Sequence, residues 1–286
     1  MVENKAMTSR QGFLGAGSDA IFADAQIGVV GLGGGGSHIV QQLAHIGISH
    51  LRLFDPDSID PEGTNLNRLV GATATDVRVG TPKTAIAARL VLGINPSADL
   101  VLVQKPWQES IGILRNCDVI VGCVDTFRGR QELERAARRF HIPYIDIGMD
   151  VHAFGDDYLL TGQVFLSLPG DKCMTCFGLL REDLLALEAS RYGAAGIRQQ
   201  VIWPNGVLAS TAVGLVIRLL APWSPQAIGP VLLEYDGNRG TVVESTRMGA
   251  LKDYPCSHFQ AYDDIGDPFW TLSLTQPIKG DHHETK

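Results

Sequence analysis

Short apolar runs alternate with amphipathic stretches through the first half of the chain. Residues 27–30 are an apolar run closed by Gly31, and residues 37–46 set Ile39, Leu43 and Ile46 at helical spacing. Residues 51–54 predict the next strand, stopped by Asp55-Pro56. An Ala-rich helix follows over 84–92, then buried strands over 100–103 and 119–124. Residues 130–140 carry many charges on an amphipathic helix, and 144–147 return to strand. Short apolar strands separated by helices predict an α/β fold: a Rossmann-like, mostly parallel sheet with helices on both faces.

The second half changes character. Residues 163–168 alternate as an antiparallel strand does, and Cys173-Met174-Thr175-Cys176 follows. Residues 177–205 form a long, weakly patterned connection, and 206–220 an apolar helix. Residues 231–235 and 241–244 flank Asp236-Gly237-Asn238, a hairpin turn. Antiparallel strands therefore extend the sheet. The expected organisation is one domain over 1–286, with a nucleotide-binding half (1–150) and a C-terminal half (151–286). Residues 1–20 and 275–286 are expected to be mobile, and Asp281-His282-His283 to be a solvated tail rather than a metal site.

Composition removes several function classes. Lys and Arg number 24 against 31 Asp and Glu, a net charge of −7. Phosphate-backbone binding needs clustered cations, so the balance argues against nucleic acid. No apolar run reaches the roughly 18 residues of a membrane span, and the first residues lack the apolar core of a signal peptide. A cytoplasmic protein is expected. Five cysteines, an odd number, also argue against a secreted disulfide framework.

The chemistry begins at residues 31–37, Gly-Leu-Gly-Gly-Gly-Gly-Ser, directly after a strand and opening a helix. Glycines let backbone approach a phosphate, and a helix N-terminus favours negative charge. Gly31, Gly33, Gly34 and Gly36 are the candidate nucleotide loop, which alone does not choose among NAD, FAD and ATP. Asp55 lies 22 residues after Gly33 at the next strand end, where a carboxylate can bind ribose hydroxyls; Asp57 is its nearby competitor. Three further segments lie at C-terminal strand ends or just beyond: Thr64-Asn65-Leu66-Asn67-Arg68, Gly80-Thr81-Pro82-Lys83 and Val124-Asp125. Arg68 and Lys83 supply positive charge for a triphosphate, and Asp125 a hard oxygen ligand for Mg²⁺. A dinucleotide dehydrogenase has only a pyrophosphate to hold and needs no such carboxylate, so the set favours ATP over an NAD-dependent oxidoreductase.

The motifs GLGGGG, LFDPD, NLNR, GTPK and CVD, in this order, resemble the ThiF/MoeB/HesA family of ubiquitin-activating-enzyme-like adenylyltransferases, over about residues 10–256. The resemblance implies that Gly34 and Asp55 bind nucleotide, that Asn65 and Arg68 contact phosphates and ribose, and that Lys83 and the metal-binding Asp125 complete the site. Thr126 stands where the family usually has Asn. The family also places an arginine from a partner subunit in the active site, and Arg10 matches that position, which implies a homodimer. The implied reaction is ATP-dependent adenylation of the C-terminal carboxylate of a ubiquitin-like or sulfur-carrier protein. A peptide or tRNA-borne carboxylate is the alternative acceptor.

The Cys173–Cys176 pair suits one half of a tetrahedral Zn²⁺ site. A redox pair is the rival, but that normally opens a helix of a thioredoxin-like fold. Family members carry a second CxxC near the C-terminus. Here that place reads Cys256-Ser257-His258-Phe259, so Cys256 and His258 are the expected remaining zinc ligands. Cys117 and Cys123 are expected in the core. Residues 177–205 hold no cysteine, so no acyl thioester on this chain's own crossover segment is expected.

Overall fold

A computed structural model describes residues 9–190, 199–221, 223 and 228–259. Eight strands form one sheet in the order β3-β2-β1-β4-β5-β6-β7-β8. They are β1 (Gln26–Val30), β2 (His50–Phe54), β3 (Asp99–Val103), β4 (Val119–Gly122), β5 (Tyr144–Phe154), β6 (Asp157–Ser167), β7 (Val231–Asp236) and β8 (Thr241–Glu244). β3, β2, β1, β4 and β5 pair in parallel. From β5 to β8 the pairing is antiparallel. β1 and β4 are almost wholly apolar because both sheet faces are covered there.

The helices are α1 (Ser18–Asp24), α2 (Gly34–Ile46), α3 (Ala74–Val79), α4 (Lys83–Ile94), α5 (Ile111–Leu114), α6 (Phe127–Arg139), α7 (Glu182–Ser190), α8 (Ile202–Leu220) and α9 (Thr246–Ala250). One core joins α2, α4 and α8 to one face of the sheet through Ile39, Leu43, Val91, Leu208 and Val216. A second lies on the other face, where α5 and α6 meet Phe165, Met174 and Phe177. α2 stops at Gly47, which takes the left-handed conformation (φ 103°) that other residues reach at a cost.

Several elements differ from the sequence expectation, each for a physical reason. Residues 9–20 are structured: a 3-10 turn (Ser9–Leu14) leads to α1, whose Phe22 is fully buried, and Gln11 Nε2 donates to the Ile46 carbonyl at 2.9 Å. β5 runs to Phe154 instead of ending at 147. Its outer part pairs with β6 as a long hairpin but is mostly exposed, so no apolar pattern marks it. The connection over 177–205 contains α7 and the first turn of α8. α8 starts at Ile202 rather than 206 because Pro204, within the first turn, needs no helical N–H partner. The lengthened α8, 19 residues, would by length and composition cross a membrane, yet half of it is buried within the fold. It packs on α2 and β5 as a core helix. α6 begins at Phe127 rather than 130, capped by Thr126. The 281–283 segment lies outside the described residues.

Candidate active site

A cleft of about 1200 Å³ opens at the C-terminal ends of the parallel strands. Its floor is the turn from β1 into α2. Gly31 has φ +91°, and a Cβ there would sit 2.6 Å from the Cys123 carbonyl oxygen. A Cβ on Gly36 would come within 1.9 Å of the Gly31 oxygen, so the turn closes only with glycine at both places. Gly33 precedes α2 without any side-chain cap, which leaves the first N–H groups of the helix directed at the cleft. An anion is the natural partner of such an end.

Asp55 ties this loop to β2. It is buried, Oδ2 accepts from Leu32 N at 2.7 Å, and Oδ1 accepts from Asp57 N at 2.9 Å. Burial pushes its carboxyl up, opposed by Lys83 and by the two backbone donors. Lys83 opens α4. Its Nζ stands 3.4 Å from Asp55 Oδ1 and donates to Asp57 Oδ2 at 2.7 Å. The more exposed Asp57 therefore shares the lysine with Asp55.

The opposite wall is a 3-10 turn (Thr64–Asn67). Asn65 is buried, and its Oδ1 accepts from Asp60 N at 2.6 Å, which fixes the turn. Arg68 ends that turn, half-buried and lining the cleft. Asp125 and Thr126 lie between β4 and α6; Asp125 is exposed on the cleft wall, and Thr126 Oγ1 accepts from Gly129 N at 3.1 Å. The Thr126 hydroxyl thus serves as the N-cap of α6.

The structure brings Gly31, Gly33, Gly34, Asp55, Asn65, Arg68, Lys83, Asp125 and Thr126 to one cleft. Gly36 lies just behind it, in the first turn of α2. Arg10 is exposed on the N-terminal 3-10 turn and is absent from the described residues that line the cleft. Cys117 is buried, and its thiol is pushed up to about 12 by that burial. Cys123, expected in the core, is partly buried and packs against the main core, and it also lines the cleft just past the end of β4.

Sequence reasoning missed Arg130. It lines the cleft with Ile147, Gly148 and Gln163, and is ion-paired to buried Asp146. The available signal was Asp146 itself, a carboxylate inside the apolar run Tyr144-Ile145-Asp146-Ile147, which burial requires to have a partner.

A second cluster lies across the sheet from α2. The sulfurs of Cys173, Cys176 and Cys256 and Nδ1 of His258 all lie within 4.8 Å of one another. Sγ to Sγ is 3.7 Å for Cys173–Cys176 and 3.6 Å for Cys176–Cys256. His258 Nδ1 is 3.6 Å from Cys173 Sγ and 3.3 Å from Cys176 Sγ. A tetrahedral Zn²⁺ with Zn–S about 2.3 Å and Zn–N about 2.0 Å places its ligand atoms roughly 3.5–3.8 Å apart, so this donor set fits the ion. Buried groups of α6 hold the loop. Glu134 accepts from Met174 N, while Arg138 donates to the carbonyls of Asp171 and Lys172 and lies 4.7 Å from the Phe259 ring centroid.

The ThiF family matches residues 10–258. Ubiquitin-like modifier-activating enzyme 5 of Oryza sativa subsp. japonica is 27% identical over 249 residues, covering 81% of this chain and 52% of its own. The SAMP-activating enzyme E1 of Haloferax volcanii is 32% identical over 154 residues, 53% of each chain. The molybdopterin-synthase adenylyltransferase of Escherichia coli is 27% identical over 232 residues, covering 79% of this chain and 84% of its own. The chain thus spans about half the length of the first two relatives and most of the third. A solved structure of E. coli MccB with ATP superposes with a TM-score of 0.66 at 20% identity, covering 84% of this chain and 70% of that one. That superposition carries the fold, and the family match carries the lineage. The chain belongs to the ThiF family.

Proposed function

We propose that the chain is an ATP-dependent adenylyltransferase that activates the C-terminal carboxylate of a ubiquitin-like or sulfur-carrier protein as an acyl-adenylate. The observation that carries this reading is the convergence of Arg68, Lys83 and Asp125 on the uncapped N-terminus of α2 in one cleft. The names of the relatives support the class of reaction. ATP would lie on the loop over 31–36, with Asn65 and the acidic end of β2 at the ribose and Arg68 and Lys83 at the phosphates. Asp125 would hold Mg²⁺, which supplies Lewis-acid charge at the phosphate oxygens. A carboxylate is already ionised at neutral pH, so no strong general base is needed. The protein's share of the work is alignment and fixed charge. Lys83 is held by Asp57, so binding a triphosphate requires that ion pair to open or to be shared.

The test is binding and exchange. ATP–Mg²⁺ should bind by calorimetry more tightly than NAD, and ATP–pyrophosphate exchange should depend on a carboxylate acceptor. Tighter binding of NAD than of ATP would overturn the adenylation reading.

A homodimer in which each site takes Arg10 from the neighbouring subunit completes the proposal. The exposed position of Arg10, outside its own chain's cleft, is compatible with use in trans, where a guanidinium would bring fixed charge to a polyphosphate. Mixing Arg10→Ala chains with Asp125→Ala chains decides this. Use in trans leaves one intact site in each mixed dimer, and activity returns. If mixed dimers form and activity does not return, the shared site is wrong.

A further inference from the structure

Arg130 is a buried cation whose counterion leaves one edge of it facing the cleft. It is the fourth residue of α6 and 7% exposed, while Asp146 and Tyr144 beneath it are 0% exposed. Arg130 Nε donates to Asp146 Oδ1 at 3.0 Å, Nη2 donates to Oδ2, and the Tyr144 hydroxyl donates to Oδ1 at 2.9 Å. The remaining nitrogen, Nη1, makes no hydrogen bond among the described residues, and Arg130 lines the cleft whereas Asp146 and Tyr144 do not. A buried ion pair is a poor source of stability compared with apolar packing, so its presence at a cleft floor asks for a use.

The position supplies one. A Cβ on Gly148 would lie 3.2 Å from Arg130 Nη2 and 2.4 Å from Gln163 Nε2, so the guanidinium and the Gln163 amide pack directly over this stretch of backbone, which has room only for glycine. A Cβ on Gly35 would lie 2.3 Å from Ile147, so the nucleotide loop abuts the same point. Beyond Gly148, the cleft continues along the hairpin past Asp150, His152 and Thr161. At about 3.3 Å per residue, the span from Gly148 to His152 accommodates roughly three or four extended residues of a second chain.

We propose that Arg130 binds the carboxylate of the acceptor tail at the end of this trough and keeps hold of it as it becomes the acyl-adenylate, with Asp146 and Tyr144 as positioning residues. This rests on the adenylation reading. One carboxylate oxygen attacks the α-phosphorus and forms the new O–P bond. The bond from that phosphorus to its bridging oxygen breaks, and pyrophosphate leaves with the electron pair. The other carboxylate oxygen becomes the carbonyl oxygen, still facing the guanidinium. No proton moves, which suits a group that stays charged throughout.

The probes are 5′-O-sulfamoyladenosine and its N-(glycylglycyl) derivative, a stable mimic of an acyl-adenylate, compared by calorimetry. The wild-type protein should bind the acyl compound more tightly, and Arg130→Gln should lose roughly 10- to 100-fold of that preference, the range for a hydrogen bond to a charged group. Its affinity for plain sulfamoyladenosine should stay unchanged. Asp146→Asn, which keeps the cation but loosens it, should lose a smaller part. Absence of any acyl preference in the wild type would overturn the acyl-adenylate reading and this assignment with it. A preference undiminished in Arg130→Gln would overturn the assignment alone. Equal loss for both compounds, with a lowered melting temperature, would make Arg130 a structural residue and overturn the assignment as well.

Discussion

Replacing Asp125 with alanine is expected to reduce ATP–pyrophosphate exchange by about 10³-fold or more, the order for removing a metal anchor worth several kcal/mol in the transition state. The fold should survive. Asp125 is exposed in the turn between β4 and α6, outside both hydrophobic cores, and exposed substitutions usually change stability far less than core ones. The neighbouring Thr126 gives the contrast. Its hydroxyl accepts from Gly129 N while Glu188 accepts from Phe127 N and Arg128 N, so Thr126→Ala removes one of the acceptors that cap α6 and should cost about 1 kcal/mol of stability. Exchange and thermal unfolding measured on both variants separate the two roles. Near-normal exchange in Asp125→Ala would show that this carboxylate does not hold the metal.

The nucleotide half was legible in the sequence because a parallel sheet buried on both faces writes each strand as an apolar run. The runs at 27–30, 51–54 and 100–103 fall on strands, and the run at 119–124 on a strand that stops two residues earlier, at Gly122. The glycine loop was legible for the same kind of reason: few other residues fit where Gly31 and Gly36 approach the backbone so closely. Features escaped where burial is polar or where a face is open. α6 carries Arg130, Glu134 and Arg138 on its buried side, so its charges read as a solvated face. They are buried because Asp146, Ser167 and the loop before Cys173 answer them. The outer part of β5–β6 escaped for the opposite reason: its residues are mostly exposed and leave no alternation to read. Arg10 matched a family position in the sequence, but within one chain nothing places it near the cleft.

α6 therefore links two sites. Its first turn carries the Thr126 cap beside Asp125 and turns Arg130 into the cleft, and its last two turns hold the loop that presents Cys173 and Cys176. A disturbance of the cysteine cluster is expected to reach the cleft through this helix as well as through β6, which pairs with β5 above Arg130's partner Asp146.

Removal of one cysteine of the cluster is the second large expected effect. The purified protein should contain about one zinc per chain, as a four-ligand structural site implies. Cys173→Ser should lose that zinc, because the sulfur at 173 is fully buried and lies within ligand distance of both Cys176 and His258. Structural zinc contributes an apparent 10–16 kcal/mol in small metal-folded domains. Here Glu134 and Arg138 already hold the loop, so a fraction of that is expected: several kcal/mol, or a melting temperature lower by roughly 10 °C. Wild-type protein stripped with a chelator should melt close to the variant. Cys117→Ser is the control. Cys117 packs beneath Gly28 on β1 and is not one of the four clustered ligand residues, so its loss should leave the metal content unchanged. Metal analysis that finds no zinc in protein purified without chelator would refute the site. Zinc retained in Cys173→Ser would remove that cysteine from the ligand set.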